Sequence, residues 1–210
     1  MTAIAANLNR PDTRVAPANP LRDATDSAFR DAMRQFATGV CVVTFGSGAE
    51  RTGLTATSVA SLSADPPSLL VCVNRTSSSY RAIQSCDEFV VNVLAADQRE
   101  IADRFAGASG HKGAERFCEG RWFEPPDGGS YLAGSVAVFG CELDERIERH
   151  THAILIGRVR RVLVGEGFGA LVRWRGAYDQ VGWSKEEIER AIGVSPGGGK
   201  SCGPAAQTRF

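Results

Sequence analysis

The chain has 210 residues, 43% of them hydrophobic and 23% charged, and its 24 basic and 24 acidic side chains balance to a formal net charge of zero. That length suffices for one domain with a full core, and the charge balance argues against nucleic acid and anionic membrane, because both partners need a basic excess. No apolar run approaches the roughly 18 residues of a membrane span, and Met1 to Pro20 lacks the apolar centre of a secretory signal, so a cytoplasmic protein is expected, with no membrane and no nucleic acid among its partners.

Residues 1–24 read as a flexible arm, rich in Ala, Asn and Pro. From Thr25 to Ala37 the spacing of Phe29, Met33, Phe36 and Ala37 predicts a helix, with Asp26 or Ser27 as its cap and Gly39 at its end. Val40 to Phe45 reads as a buried strand, Gly46-Ser47-Gly48 as a turn, and Gly53 to Ser63 as a returning strand. Ser68 to Val73 is a strand of continuous apolar character. Ser77 to Ser85 reads as a short helix, Glu88 to Leu94 as a strand, and Asp97 to Phe105 as a helix capped by Asp97. Ala106 to Gly129 is polar and glycine-rich, with Trp122 and Phe123 as isolated anchors, and reads as a loop or lid. Ser135 to Leu143, Ala153 to Val164 and Leu171 to Trp174 are three further strands. Lys185 to Ile192 reads as a last helix, and 194–210 as a disordered tail. The domain proper is therefore expected over 25–193. Six or more strands with few, scattered helices do not give a regular βαβ alternation. They point to a mainly β fold, an antiparallel barrel with helical additions.

Six cysteines (Cys41, Cys72, Cys86, Cys118, Cys141 and Cys202) form no CxxC pair, and several lie in apolar runs. They read as reduced, mostly buried thiols.

The densest chemical signal is Gly53 to Ser79, GLTATSVASLSADPPSLLVCVNRTSSS. Asn74, Arg75, Ser77 and Ser78 follow a strand and precede a helix. Backbone N–H groups, an arginine and hydroxyls at such a point suit a phosphate; the plain alternative is a serine-capped helix beside a surface arginine. Thr55, Ala56, Thr57 and Ser58 are small, so a flat ligand can approach their backbone groups, and the polar pyrimidine edge of a flavin fits them. The plain alternative is a β-rich threonine run. Together the two segments suggest a phosphorylated planar cofactor, with flavin mononucleotide the simplest candidate.

His150-Thr151-His152 places two imidazoles at strand spacing, but Ile156 stands where a further acidic ligand would be needed, and His111 is the only other histidine. No metal site is expected; a histidine touching substrate or cofactor is the better reading. Gly197-Gly198-Gly199-Lys200-Ser201 lacks the leading glycine, strand and helix of a phosphate loop. The absence of a hydrolytic constellation fits chemistry carried by a cofactor.

The order of these motifs resembles the flavin reductase-like family, the small reductase components of two-component flavin-dependent monooxygenases. The run carrying the resemblance comprises FRDAMRQFATGVCVVT, the Gly53–Ser79 segment, FVVNVLAADQREIADRFA, ERF, HAILIGRV and VRWRGAYDQVG, from about Phe29 to Gly182. The resemblance implies a split β-barrel, a homodimer with flavin near the subunit interface, and hydride transfer from NADH or NADPH to FMN or FAD. It implies that reduced flavin passes to a separate monooxygenase. It assigns Thr55 to Ser58 to the flavin ring and Arg75, Ser77 and Ser78 to the phosphate. It assigns His152 and the Arg175-Gly176-x-Tyr178 motif to the nicotinamide side. Ala153-Ile154 and Arg158 depart from the family pattern, which would bear on the nicotinamide pocket. No side chain need act as acid or base for the hydride step itself. A split barrel that binds flavin without turning it over is the alternative.

Overall fold

The computed structural model of the chain describes residues 23–126, 128–165, 169–183 and 190. The N-terminal arm, the helix expected over 185–192 and the C-terminal tail with Cys202 lie outside the described residues, apart from a few positions at their borders.

In chain order the helices are α1 (Asp26–Met33), α2 (Tyr80–Ile83) and α3 (Arg99–Phe105). The strands are β1 (Thr38–Gly39), β2 (Cys41–Phe45), β3 (Thr52–Ala56), β4 (Val59–Ala64), β5 (Pro67–Asn74) and β6 (Glu88–Val93). They continue with β7 (Trp122–Phe123), β8 (Tyr131–Leu132), β9 (Ala137–Arg149), β10 (His152–Val164), β11 (Gly169–Trp174) and β12 (Ala177–Gly182). The main sheet has seven antiparallel strands in the order β3-β2-β6-β9-β10-β5-β4, and a smaller sheet has the order β1-β11-β12.

The stretch expected as one strand over Gly53 to Ser63 is two strands, broken at Thr57-Ser58. β3 and β4 are neighbours in the chain but stand at opposite ends of the seven-strand order. The three peptide units from Ala56 to Val59 reach at most about 11 Å, so the sheet must curl until its edges meet. The result is the split barrel that the resemblance implied. The seam runs beside Thr57, and Ser58 is already tied to β5: its carbonyl accepts from Cys72 N at 3.1 Å and its hydroxyl donates to Cys72 O at 2.8 Å.

Two cores flank β2, which explains its unbroken apolar run. Val43 and Phe45 face the barrel interior with Val71, Val73, Phe89, Val91 and Leu155. Val40 and Val42 pack outward against Ile101, Phe105, Phe117, Leu132 and Leu171. Both faces are covered, so period-two alternation is lost. Gly157 in HAILIGRV is required by packing, because a Cβ there would occupy the position of the Phe89 ring. Asn92 is fully buried and pins β6 to its surroundings: its amide donates to Val42 O and Ser130 O, and its carbonyl accepts from Leu132 N.

Several elements depart from expectation. α1 is capped by Thr25, whose Oγ1 accepts from Ala28 N at 3.2 Å, and it ends at Met33. Its apolar residues Phe29 and Met33, and Phe36 just after it, are exposed, since no described part of the chain covers them. The helix expected from Ser77 is the single turn α2. α3 starts at Arg99 with Gln98, not Asp97, at its cap position. The loop after α3 is anchored: a 3-10 segment (Gly113–Cys118) places Phe117 in an aromatic cluster with Phe105 at 5.0 Å and Trp122 at 4.8 Å between ring centroids. Among the described residues no helix is long and apolar enough to cross a membrane.

Candidate functional site

The curl of the sheet sets β3 beside the chain that leaves β5, and the anchored loop after α3 covers the gap. These elements enclose an open cleft of about 480 Å³. Of the residues singled out in the sequence, Thr55, Ala56, Thr57, Ser58, Asn74, Ser77, Ser78 and His152 all line it. Cys72, Phe105, His111, Lys112 and Arg116 line it as well, and the sequence reading did not include them.

One wall is the edge strand β3, which among the described residues has no strand partner on its outer side and so offers backbone donors and acceptors there. Its side chains are already engaged. Thr55 Oγ1 donates to Ala102 O at 2.6 Å, fixing β3 to α3. Gly53 cannot carry a side chain, since a Cβ would come within 2.8 Å of the Phe105 ring and of Val43 O. That close approach is why GLTATS begins with glycine.

The opposite end holds a cation that the sequence reading passed over. Arg116 is only 5% exposed. Its Nε donates to His111 O at 3.0 Å, its Nη2 to Ser78 Oγ at 3.0 Å, and its Nη1 to Ser79 Oγ at 3.2 Å and to Gly53 O. Ser79 Oγ in turn donates to Gly53 O at 2.8 Å and bonds Thr52 Oγ1 at 3.0 Å. Every partner is neutral, and burial lowers the Arg116 pKa from its ordinary value. A buried charge with only neutral acceptors calls for an anion. Ser77 Oγ, also lining the cleft, is buried without a hydrogen-bond partner. Among the described lining residues there is no aspartate or glutamate, while Arg116 and Lys112 bring two positive charges. The chain as a whole is neutral, so this is a local excess. A phosphate ester fits the donor set.

Arg75, expected at the phosphate, is not among the lining residues. Its Nη2 pairs with Glu148 at 2.9 Å and its Nη1 donates to His150 O at 3.2 Å. The carboxylate on β9 outcompetes the cleft for it. The helix start expected to supply backbone donors from Ser77 is likewise absent, because α2 is one turn beginning at Tyr80. Asn74 lines the cleft, with its Oδ1 accepting from Thr76 N and Thr76 Oγ1, both at 2.9 Å.

His152 opens β10 at the rim of the cleft, with Nδ1 2.8 Å from Thr151 Oγ1. Arg175 and Tyr178 do not line the cleft of their own chain. Arg175 sits at φ +50° in the β11–β12 turn, donates from Nε to Gln35 Oε1 at 3.0 Å, and lies over Trp174. Tyr178 packs between Arg173 and Arg99. Arg158 is exposed and lies outside the cleft, paired in register with Ser68 and Glu142, so its departure from the family pattern does not reshape this cavity. Among the described residues no cluster of three or more His, Cys, Asp and Glu side chains could hold a metal. The five described cysteines are free thiols, and burial pushes Cys41 and Cys141 up to about 12.

The chain is similar to known proteins in sequence and fold. The chain is 40% identical over 144 residues to the actinorhodin polyketide dimerase of Streptomyces coelicolor, covering 68% of this chain and 79% of that protein. It is 40% identical over 146 residues to the FMN reductase (NADH) RutF 2 of Methylorubrum extorquens, covering 70% and 84%. Its fold matches BorF, the flavin reductase component of a bacterial two-component tryptophan halogenase, with a TM-score of 0.69 and 31% identity over 75% of this chain and 99% of that one. The model of the flavin reductase like domain matches residues 33–182, a span that takes in the curled sheet and every residue lining the cleft, and the chain belongs to that family.

Proposed function

We propose that the chain is an NAD(P)H:flavin oxidoreductase that reduces FMN or FAD and releases the product to a separate monooxygenase. One observation carries this reading: a cleft free of carboxylates, holding the buried Arg116 and an unpartnered Ser77 hydroxyl beside an exposed strand edge. That is a place for a phosphorylated planar molecule.

The flavin supplies the hydride-accepting chemistry when bound, and the nicotinamide supplies the hydride. The protein's residues bind and orient. Ser77, Ser78 and Arg116 hold the phosphate, with Lys112 adding charge at the rim. Thr55 to Ser58 present backbone groups to the ring edge. Asn74 lines the cleft between them, and the loop around His111 excludes water from one side. His152 serves the nicotinamide, where a neutral imidazole can bond a carboxamide or a ribose hydroxyl. Holding two rings face to face replaces a bimolecular encounter by a positioned one.

We also propose a homodimer. Phe29, Met33 and Phe36 on and after α1, Val162 to Val164 on β10, and Val181 and Trp183 at β12 are exposed apolar side chains, which a second copy of the chain would cover. Arg175 and Tyr178, outside the cleft of their own chain, would join the nicotinamide side from the second copy. A cytoplasmic setting keeps the thiols reduced. The relation to BorF supports a two-component partnership.

The test is to mix purified protein with NADH and excess FMN, without oxygenase, and follow nicotinamide absorbance. Catalytic consumption is expected. Flavin binding without consumption would leave a flavin carrier instead.

A further inference from the structure

Resting on the nicotinamide role proposed for His152, we infer that Thr151 is a positioning residue that fixes this imidazole as an Nε2–H donor into the cleft. Thr151 Oγ1 lies 2.8 Å from His152 Nδ1 and has no other hydrogen-bond partner among the described residues. The inferred direction has the hydroxyl donating to Nδ1, in keeping with the Nε2–H tautomer that a free neutral histidine favours. With Nδ1 accepting, the proton of a neutral ring sits on Nε2. The group presented to the ligand is a donor, suited to an acceptor oxygen such as that of the nicotinamide carboxamide.

Thr151 is itself held in place. It lies in the two-residue turn between β9 and β10, where Arg149 and His152 are register partners. His150, the first turn residue, has φ +49°, a left-handed conformation unfavourable for a side chain with a Cβ. Such a conformation persists where its surroundings over-determine it. Here Arg75 grips the turn twice, from its backbone N to Thr151 O at 3.0 Å and from Nη1 to His150 O at 3.2 Å. Glu148 holds the Arg75 guanidinium at 2.9 Å and accepts from Tyr80 OH at 2.7 Å. Tyr80 is buried in the barrel core. A chain of contacts thus runs from the core to the tautomer of one rim histidine.

Nitrogen-15 spectra of histidine-labelled full-length protein with bound FMN read the tautomer directly. The wild type is expected to show an unprotonated Nδ1 at His152, and Thr151→Val to show a mixture of tautomers. Loss of the oriented donor should raise the NADH KM in Thr151→Val by about two- to tenfold, the value of one neutral hydrogen bond, with kcat and FMN affinity within about twofold. Thr151→Ser should restore the wild-type KM. Glutamine places an amide nitrogen near the Nε2 position and asparagine near Nδ1, so His152→Gln should keep a lower KM than His152→Asn. A protonated Nδ1 in the wild type, or a Thr151→Val protein with wild-type tautomer and KM, overturns the role of Thr151. An unchanged NADH KM in His152→Ala would overturn the nicotinamide reading itself, whatever the tautomer.

Discussion

Arg116→Ala is the sharpest perturbation of the phosphate end. The guanidinium has five N–H donors. Four are engaged, with His111 O, Gly53 O, Ser79 Oγ and Ser78 Oγ. One Nη2–H remains, together with a full positive charge that no carboxylate offsets. A ligand phosphate would therefore gain one charge-assisted hydrogen bond, worth roughly 1.5–3 kcal/mol, or about 10- to 150-fold in affinity. Truncation also leaves protein acceptors short of a donor. Gly53 O keeps Ser79, but His111 O loses its guanidinium partner, so about 1–3 kcal/mol of stability should go as well. For a chain of this size each kcal/mol is about 2–4 °C in melting temperature, so binding should be measured well below the transition. Fluorescence titration with FMN and with riboflavin separates the effects, because riboflavin has no phosphate. The expected result is a large loss for FMN and a change under about threefold for riboflavin. Arg116→Lys should fall between, retaining charge without the fork. Equal losses for the two ligands would refute the phosphate assignment and leave Arg116 as a structural pin.

Arg75→Ala should raise the NADH KM by about two- to tenfold and leave FMN affinity nearly unchanged, since it releases the His150–Thr151 turn; a selective loss of FMN affinity would return Arg75 to the phosphate. Gly53→Ala forces a Cβ against Phe105 and Val43 O and should cost about 1–3 kcal/mol, visible as a lower urea midpoint; a wild-type midpoint would show that β3 can shift away from α3. Glu124 joins β7 to the β2–β3 loop through Gly48 N, Arg51 and Ser130. Burial pushes its pKa up, but these bonds more than offset it and hold the carboxyl below 4.5. Its contribution is therefore full above pH 4.5 and is lost as pH falls through the lower folded value. Glu124→Gln should be less stable near neutrality and show a flatter acid limb, and an unchanged acid limb in denaturant melts would contradict this. Asn92→Ala strips three buried bonds and should lower the melting temperature by several degrees, with flavin reduction intact at low temperature; loss of activity in still-folded protein would tie Asn92 to the site instead.

Much of the site was legible because small and polar residues cluster there for reasons visible in one dimension. GLTATS and NRTSS announce close backbone approach and hydroxyl donors, and Leu54 to Ser58 of the first and Asn74, Ser77 and Ser78 of the second line the cleft. The seam was not legible. Thr57-Ser58 continues a pattern that suits one strand, and residue type does not reveal that the chain has crossed from one sheet edge to the other. Arg116 was missed because a lone arginine in a polar loop reads as solvated. Its signal was the following Phe117, which drives the segment into the aromatic cluster and carries the guanidinium inward. Arg75 misled for the converse reason: its competitor Glu148 lies 73 residues away in sequence, and only the β5–β10–β9 register brings the two together. The apolar spacing of α1 predicted a helix with one apolar face, yet the described chain provides nothing to cover that face.

The seam also gives the barrel a clasp. Hydrogen-bonded ladders join every neighbouring pair in the seven-strand sheet, while among the described residues no ladder joins its two outer strands, which meet through the short covalent bridge at Thr57-Ser58 and shared core packing. A molecule lodged against that bridge braces both margins of the sheet at once. Occupancy should then register as rigidity far from the cleft, in slower amide exchange along β3 and β4 and in a melting point that climbs with ligand concentration by mass action. A protein whose product must depart has reason to keep that clasp weak, trading some resilience of the empty barrel for easy exit.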